Sequence, residues 1–370
     1  MSKAAELAKW GEVSTNGQVS GRRNIVINGA MNVAQRSASV ADIGAADGYF
    51  TLDRWEIDIA SASAGRLTMT QTADGPNGVS ANCLKLDCTT ADTSIAAGEY
   101  LRLLQKFEGQ DLQAIGKGVS GAKDITVSFY VKANAAFTFG LELFDNDNTR
   151  QMTKLFATTT DWVRHELTFP ADEDDGSSPF ADDNALSLQL AFFLHAGSTY
   201  TSGTLETAFA NRTNANRAAG IDSFYSSTDN NFFITGVQLE VGSVATPFEH
   251  RSFGEELALC QRYFQVAQSG TNAAISPICN GWQQSSSDTR GILKFSAMRV
   301  APTIAQNTAA NYFLFERNGA SDLLTELSVA YSTPTSCLIY DDNTSSGTAG
   351  HGGGIYTNNA SAYLHLLSEL

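Results

Sequence analysis

Ile125-Thr126-Val127-Ser128-Phe129-Tyr130-Val131-Lys132 places an apolar residue at every second position, with Thr126, Ser128, Tyr130 and Lys132 between them. A period of two sends alternate side chains to opposite faces, so the stretch reads as a β-strand with one face inward and one toward solvent. The signal recurs on both sides. Leu186, Leu188, Leu190, Phe192 and Leu194 alternate with Ser187, Gln189 and His195, and Phe233, Thr235, Val237, Leu239 and Val241 alternate with Gln238 and Glu240. Further strands are expected at 54–60, 66–72, 83–88, 99–107, 137–144, 151–157 and 162–169, separated by turn clusters such as Ala73-Asp74-Gly75-Pro76-Asn77-Gly78. So many short strands without a long helical pattern predict an all-β fold, with an antiparallel jelly-roll sandwich over residues 25–250.

Ser252-Phe253-Gly254-Glu255 forms a capping box, and Leu257, Cys260, Tyr263 and Phe264 follow at helical spacing. They predict a connecting helix within 251–268, its apolar stripe buried against the preceding sandwich or two symmetry mates. Strands at 291–299, 311–316, 323–331, 336–340 and 361–367 then indicate a smaller C-terminal β-sandwich domain over 269–370. The loops Gln283–Asp288 and Asn343–Gly347 have little apolar content and are expected at the surface. At the other end, residues 2–10 put Leu7 and Trp10 on one face of a helix too short to stand alone. The following Gly, Ser and Asn-rich stretch supplies no core, so 1–24 reads as an attachment arm.

A chain of 370 residues exceeds the size at which one core keeps growing. Its net charge of −15 disfavours nucleic acid, whose binding needs clustered Lys and Arg. The cysteines Cys83, Cys88, Cys260, Cys279 and Cys337 follow no metal-ligand spacing and read as buried free thiols. No apolar core precedes a cleavage site near the start, and no stretch is apolar enough for a helical membrane span, so cytoplasmic synthesis without secretion or membrane insertion is expected.

Motifs that would carry chemistry fail on their details. Asp145-Asn146-Asp147-Asn148 clusters oxygen ligands, but Arg150 stands where a calcium loop needs Gly and Ala157 where it needs Glu, which leaves an Asn/Asp turn. Asp172-Glu173-Asp174-Asp175 with Asp182-Asp183 reads as a solvated acidic loop, a calcium site being the alternative here and at the Asp145 turn. His351-Gly352-Gly353-Gly354 resembles an oxyanion-hole loop without the nucleophile elbow that reading requires, so a flexible glycine turn is expected. His165, His195 and His250 are read as structural, and no carboxylate pair or short β-helix repeat points to a glycosidase. The expectation is a non-enzymatic protein with no metal and no cofactor. For sugar binding, aromatic faces beside amides are the relevant mixture. Trp282 with Asn280, Gln283 and Gln284, and Tyr356 with Asn358 and Asn359, are the candidates, the alternative for each ring being a half-buried core position.

The run Arg22-Arg23-Asn24-Ile25-Val26-Ile27-Asn28-Gly29-Ala30-Met31-Asn32-Val33-Ala34-Gln35-Arg36 resembles the opening of bacteriophage tail fibre and tail-tip proteins. Asp53-Arg54-Trp55, the run Phe233–Gly242, Thr246-Pro247-Phe248-Glu249 and Leu259-Cys260-Gln261-Arg262-Tyr263-Phe264 are similar to the core and exit of that family's carbohydrate-binding-like sandwich. The landmarks bracket 22–265, and their order is the specific part. The resemblance implies a homotrimeric virion subunit, held to phage tail proteins through its N-terminal arm (Leu7, Trp10, Arg22, Arg23) and recognising a host-surface glycan. It supplies no ligand and no motif after 265. A connector that holds other fibres and a polysaccharide depolymerase are the alternatives.

Overall fold

The computed structural model describes residues 22–60, 64–173, 179–269, 275–308, 311–342 and 345–370. The fold is all-β, in two compact units, one through Glu256 and one over Leu257–Glu369. Among the described residues no helix is long and apolar enough to cross a membrane.

The first unit holds β1 (Ser39–Ile43), β2 (Glu56–Ala60), β3 (Arg66–Thr72), β4 (Cys83–Thr90), β5 (Tyr100–Glu108), β6 (Ile125–Ala133), β7 (Thr138–Asp145), β8 (Arg150–Ala157), β9 (Val163–Phe169), β10 (Leu186–Ala196), β11 (Ala210–Asn211) and β12 (Asn231–Val241). They form two antiparallel sheets, β1-β3-β4-β12-β6-β9 and β11-β8-β7-β10-β5-β2. The inward positions of each strand meet in one core. Phe129 of β6 packs edge to face on Phe192 of β10 at 5.1 Å and on Phe156 of β8 at 5.0 Å, and Phe139 of β7 meets Phe232 of β12 at 5.7 Å, so aromatic pairs tie the sheets together.

The expectation of one solvated face fails for the second sheet. A short helix, α1 (Ser198–Thr201), lies in the excursion between β10 and β11, and residues from this region cover Phe193 together with Tyr100, Tyr200 and Ala218. Polar side chains on that face are therefore buried and paired. Glu142 accepts two bonds of 2.7 Å from Arg217 and one of 3.4 Å from Arg102, which also bonds Asp58.

The tail-like landmarks converge on one buried node. Asn28, at φ 59°, donates to the carbonyls of Val33 (2.8 Å) and Asp53 (3.0 Å) and accepts the amides of Asn32 and Val33 (2.9 Å each). The Trp55 indole donates to the Asn28 carbonyl at 3.1 Å, and the Glu256 carboxylate accepts the Asn28 amide. Gly29 lies against β12, where a Cβ would fall 2.1 Å from the Val237 carbonyl oxygen, and Glu249 accepts the amides of Arg23 and Asn24. Arg23 and Asn24, assigned by sequence to the arm, are therefore tied into the sandwich. Arg22 is exposed beside Glu255 at 3.7 Å, whereas Leu7 and Trp10 lie outside the described residues.

The capping box forms, with the Ser252 hydroxyl 3.3 Å from the Glu255 amide, and opens α2 (Phe253–Gln261). The helix is shorter than its apolar spacing predicts. Phe264 begins β13 instead, because the alternation of Phe264, Val266 and Gln268 satisfies a strand pairing as well as a helix.

The second unit comprises β13 (Phe264–Ser269), β14 (Ile275–Gln283), β15 (Thr289–Lys294), β16 (Thr303–Gln306), β17 (Phe313–Arg317), β18 (Ala320–Leu324), β19 (Ser328–Thr333), β20 (Ser336–Asp341), β21 (Gly352–Asn358) and β22 (Tyr363–Leu367). A three-stranded sheet, β13-β22-β16, packs on a seven-stranded one, β18-β17-β21-β14-β15-β20-β19, around Phe313, Phe315, Ile339, Ile355, Leu364 and Leu366. The single strand expected at 323–331 is two strands, β18 and β19. The expected glycine turn is strand β21, between β14 and β17. Its glycines permit close approach: a Cβ on Gly353 would fall 2.3 Å from the Glu316 carbonyl oxygen.

Candidate functional site

The seven-stranded sheet has a second face, turned away from its core, and the pairing register orders what it carries. Trp282 of β14 lies opposite Gly352 of β21 on one side and Arg290 of β15 on the other, and Arg290 lies opposite Tyr340 of β20. Gly352, Trp282, Arg290 and Tyr340 thus form one row across four strands. At about 4.8 Å per strand the row spans about 14 Å of backbone. The next row places Gly354, Asn280, Ile292 and Leu338 beside it, with Ile292 52% exposed.

Arg290 is held in the row by Asp288. Its Nε and Nη2 donate to Asp288 at 3.1 and 2.7 Å. Those hydrogen bonds raise its pKa above the ordinary guanidinium value, and the phenols of Tyr331 and Tyr340 act in the same direction. Tyr331 sits on the edge strand β19, three positions beyond Ser328, the residue opposite Tyr340. There the register shifts between Ala330 and Thr333, Tyr331 adopts φ 50°, and its side chain is 84% exposed. A bulky residue in the left-handed region costs about 1–2 kcal/mol, and such strain at a bulge re-aims a side chain.

Of the residues expected to meet a sugar, Trp282, Asn280, Tyr356 and Asn358 share this face. Trp282 is half-buried, its indole donating to Gln284 at 3.0 Å, and Asn280 is exposed. Tyr356 is half-buried with its ring lying over Gly354, where a Cβ would fall 2.7 Å from it. Asn358 stands two positions further along β21, its amide donating to the Asn311 carbonyl at 3.2 Å. Gln283 is corrected. It points to the other face, is fully buried, donates to the Ser345 hydroxyl at 2.9 Å and accepts from Thr289. Strand alternation makes this unavoidable once Trp282 faces outward.

Sequence reasoning missed Arg290, Tyr340 and Tyr331. Tyr340 was legible, since Leu338 and Tyr340 alternate with Cys337, Ile339 and Asp341 in β20. Nothing in the sequence announces the bulge that exposes Tyr331.

One residue of each acidic cluster is a buried counter-ion, while Glu173, Asp182 and Asp183 are exposed as expected. Asp145 and Asp172 are both buried and both meet Lys117 Nζ, at 2.7 and 3.1 Å, while Arg150 bonds Asp172 at 3.1 Å. Phe180 and Phe209 flank the ammonium at 5.4 and 5.5 Å. The Asp145 turn forms as expected, with the Asn148 amide on Asp145, but Asp172 is not solvated. Asp174 and Asp175 fall outside the described residues. Among the described residues no group of His, Cys, Asp and Glu is arranged to hold a metal.

His165 Nε2 lies 2.7 Å from the Ala157 carbonyl, and His195 Nδ1 2.8 Å from the Ser223 hydroxyl. Burial holds the His195 pKa down at about 4. The five thiols are free, four buried and Cys279 half-buried. Burial pushes Cys83, Cys88 and Cys337 up to about 11 and Cys279 to about 12.

No family model matches the chain, and no curated protein does. Solved structures similar to it include the family 11 carbohydrate-binding module from Clostridium thermocellum in complex with a β-1,3-1,4-mixed-linked tetrasaccharide (11% identity, 56% of this chain and 97% of that one, TM-score 0.27). Others are TmCBM61 in complex with β-1,4-galactotriose (11%, 60% and 99%, 0.30) and the tandem CBM22-1–CBM22-2 domain of Paenibacillus barcinonensis Xyn10C (10%, 95% and 98%, 0.28). Likeness at this level fixes neither a ligand nor a binding face for this chain.

Proposed function

We propose that the chain is a non-enzymatic, homotrimeric subunit of a phage tail fibre or tail tip that holds a host-surface glycan on the outer face of its seven-stranded sheet. The row Trp282, Arg290 and Tyr340 carries the glycan part. Aromatic faces offer apolar area to the CH faces of sugar rings, and the guanidinium and the Asn280 amide offer donors and acceptors to hydroxyls. The tail assignment rests on the resemblance over 22–265. The node around Asn28 supports it by giving its separated segments one shared structural task. The non-catalytic reading is supported by buried carboxylates that already pair with cations, Glu142 with Arg217 and Asp145 with Lys117. Three weak sites on a trimer would act together through effective concentration.

The test compares full-length protein with a Trp282→Ala/Tyr340→Ala variant for binding to a panel of bacterial cells, with mass recorded by light scattering. A trimer whose binding falls at least about tenfold in the variant, at unchanged circular dichroism, is expected. Equal binding by both moves the site elsewhere, and a folded monomer removes the trimer. Affinity for another virion protein without cell binding gives the connector instead, and shortened polysaccharide chains give the depolymerase.

A further inference from the structure

Resting on the glycan reading above, we infer that the occupant is an uncharged glycan chain lying across the strands, from the open floor over Gly352, past Trp282 and Arg290, to Tyr340. Direction comes from the register. The row crosses β21, β14, β15 and β20 at one level, and a pyranose unit advances a glycan by a length similar to one strand spacing. Gly352 marks one end. A Cβ placed there meets nothing within 4 Å, so the surface beside the Trp282 indole is open. Its neighbours in the glycine run are filled, Gly353 by the Phe315 ring and Gly354 by the Tyr356 ring. Tyr340 marks the other end, since Ser328, the residue opposite it on the edge strand β19, carries no ring.

The charge class comes from the same face. Arg290 already bonds Asp288, and exposed Lys294 is set against exposed Glu316 and Asp342, in a molecule whose net charge is −15. An anionic sugar would approach Asp288 together with Arg290 and gain no net attraction. Hydroxyls, by contrast, accept from the guanidinium hydrogens that Asp288 leaves open.

The test is affinity electrophoresis of the full chain through gels containing dextran or galactomannan, both neutral, and polygalacturonate or alginate, both acidic, at low and high salt. Retardation by a neutral polymer, indifferent to salt, is expected, with Gly352→Val weakening it at least about tenfold, since a β-branched residue suits the strand and fills only the open floor. Retardation by the acidic polymers alone, lost at high salt, overturns the charge class and leaves the glycan reading standing. Normal binding by Gly352→Val where Trp282→Ala abolishes it overturns the cross-strand direction. No retardation by any polymer overturns the inference together with the reading beneath it.

Discussion

Replacing Asn28 by alanine tests whether the segment that resembles tail fibres works as a structural node. Alanine removes four side-chain hydrogen bonds of 2.8–3.0 Å. The Val33 carbonyl keeps a bond from the Asp53 amide, so the groups stranded are the amides of buried Val33 and half-exposed Asn32. A buried unsatisfied group costs about 1–3 kcal/mol. Alanine at φ 59° adds about 1 kcal/mol that asparagine largely avoids. A loss of about 3 kcal/mol follows, lowering the melting temperature of a domain this size by about 6–12 °C. Asn28→Gly should recover about 1 kcal/mol of that, because glycine accepts the left-handed backbone without strain. Urea titration followed by tryptophan fluorescence is the assay, since buried Trp55 donates to the Asn28 carbonyl. An alanine variant within about 1 kcal/mol of wild type refutes the hydrogen-bond reasoning, and a glycine variant no better than alanine refutes the backbone part.

Glu142→Leu leaves Arg217 without its two 2.7 Å bonds inside the covered face of the second sheet, so urea titration should show a loss of about 3–5 kcal/mol. His195 takes up a proton in the folded protein only near pH 4, against 6.5 for an ordinary histidine, so between those values the unfolded chain binds more protons. Stability is therefore lost as pH falls from 6.5 to 4, by about 3 kcal/mol, and His195→Asn should flatten that part of a urea-midpoint profile. Gly29→Ala drives a methyl to within 2.1 Å of the Val237 carbonyl oxygen and should reduce the yield of folded protein, read by circular dichroism. With thiols held at about 11 to 12, Cys83, Cys88, Cys279 and Cys337 should resist a thiol reagent at mildly alkaline pH and react once urea unfolds the chain.

The sandwich of the first unit was legible because its inward positions carry large apolar residues in strict alternation, as in Val127, Phe129 and Val131. The strands that escaped are those whose pattern is interrupted. Strand β14 contains Pro277 at a bulge, β21 opens with three glycines, and β1 is short and mostly exposed. The candidate site was half legible for the same reason. Trp282 and Asn280 share a strand face by period two, but Gln283 next to Trp282 must then point inward, and proximity in sequence concealed that. Arg290 and Tyr340 join Trp282 only through pairings between strands far apart in the chain, which no local pattern encodes.

The distortion at Tyr331 also bears on how these molecules behave at high concentration. Strand β19 is an edge of its sheet, and a flat edge offers unpaired amides and carbonyls to the strand of any neighbour. One extra residue between Ala330 and Thr333 breaks that regular row near its end, so a foreign strand cannot keep step along it. Deleting Ser332 would straighten the edge, and the ring would lose its mount at the moment the sheet became adhesive to its own kind.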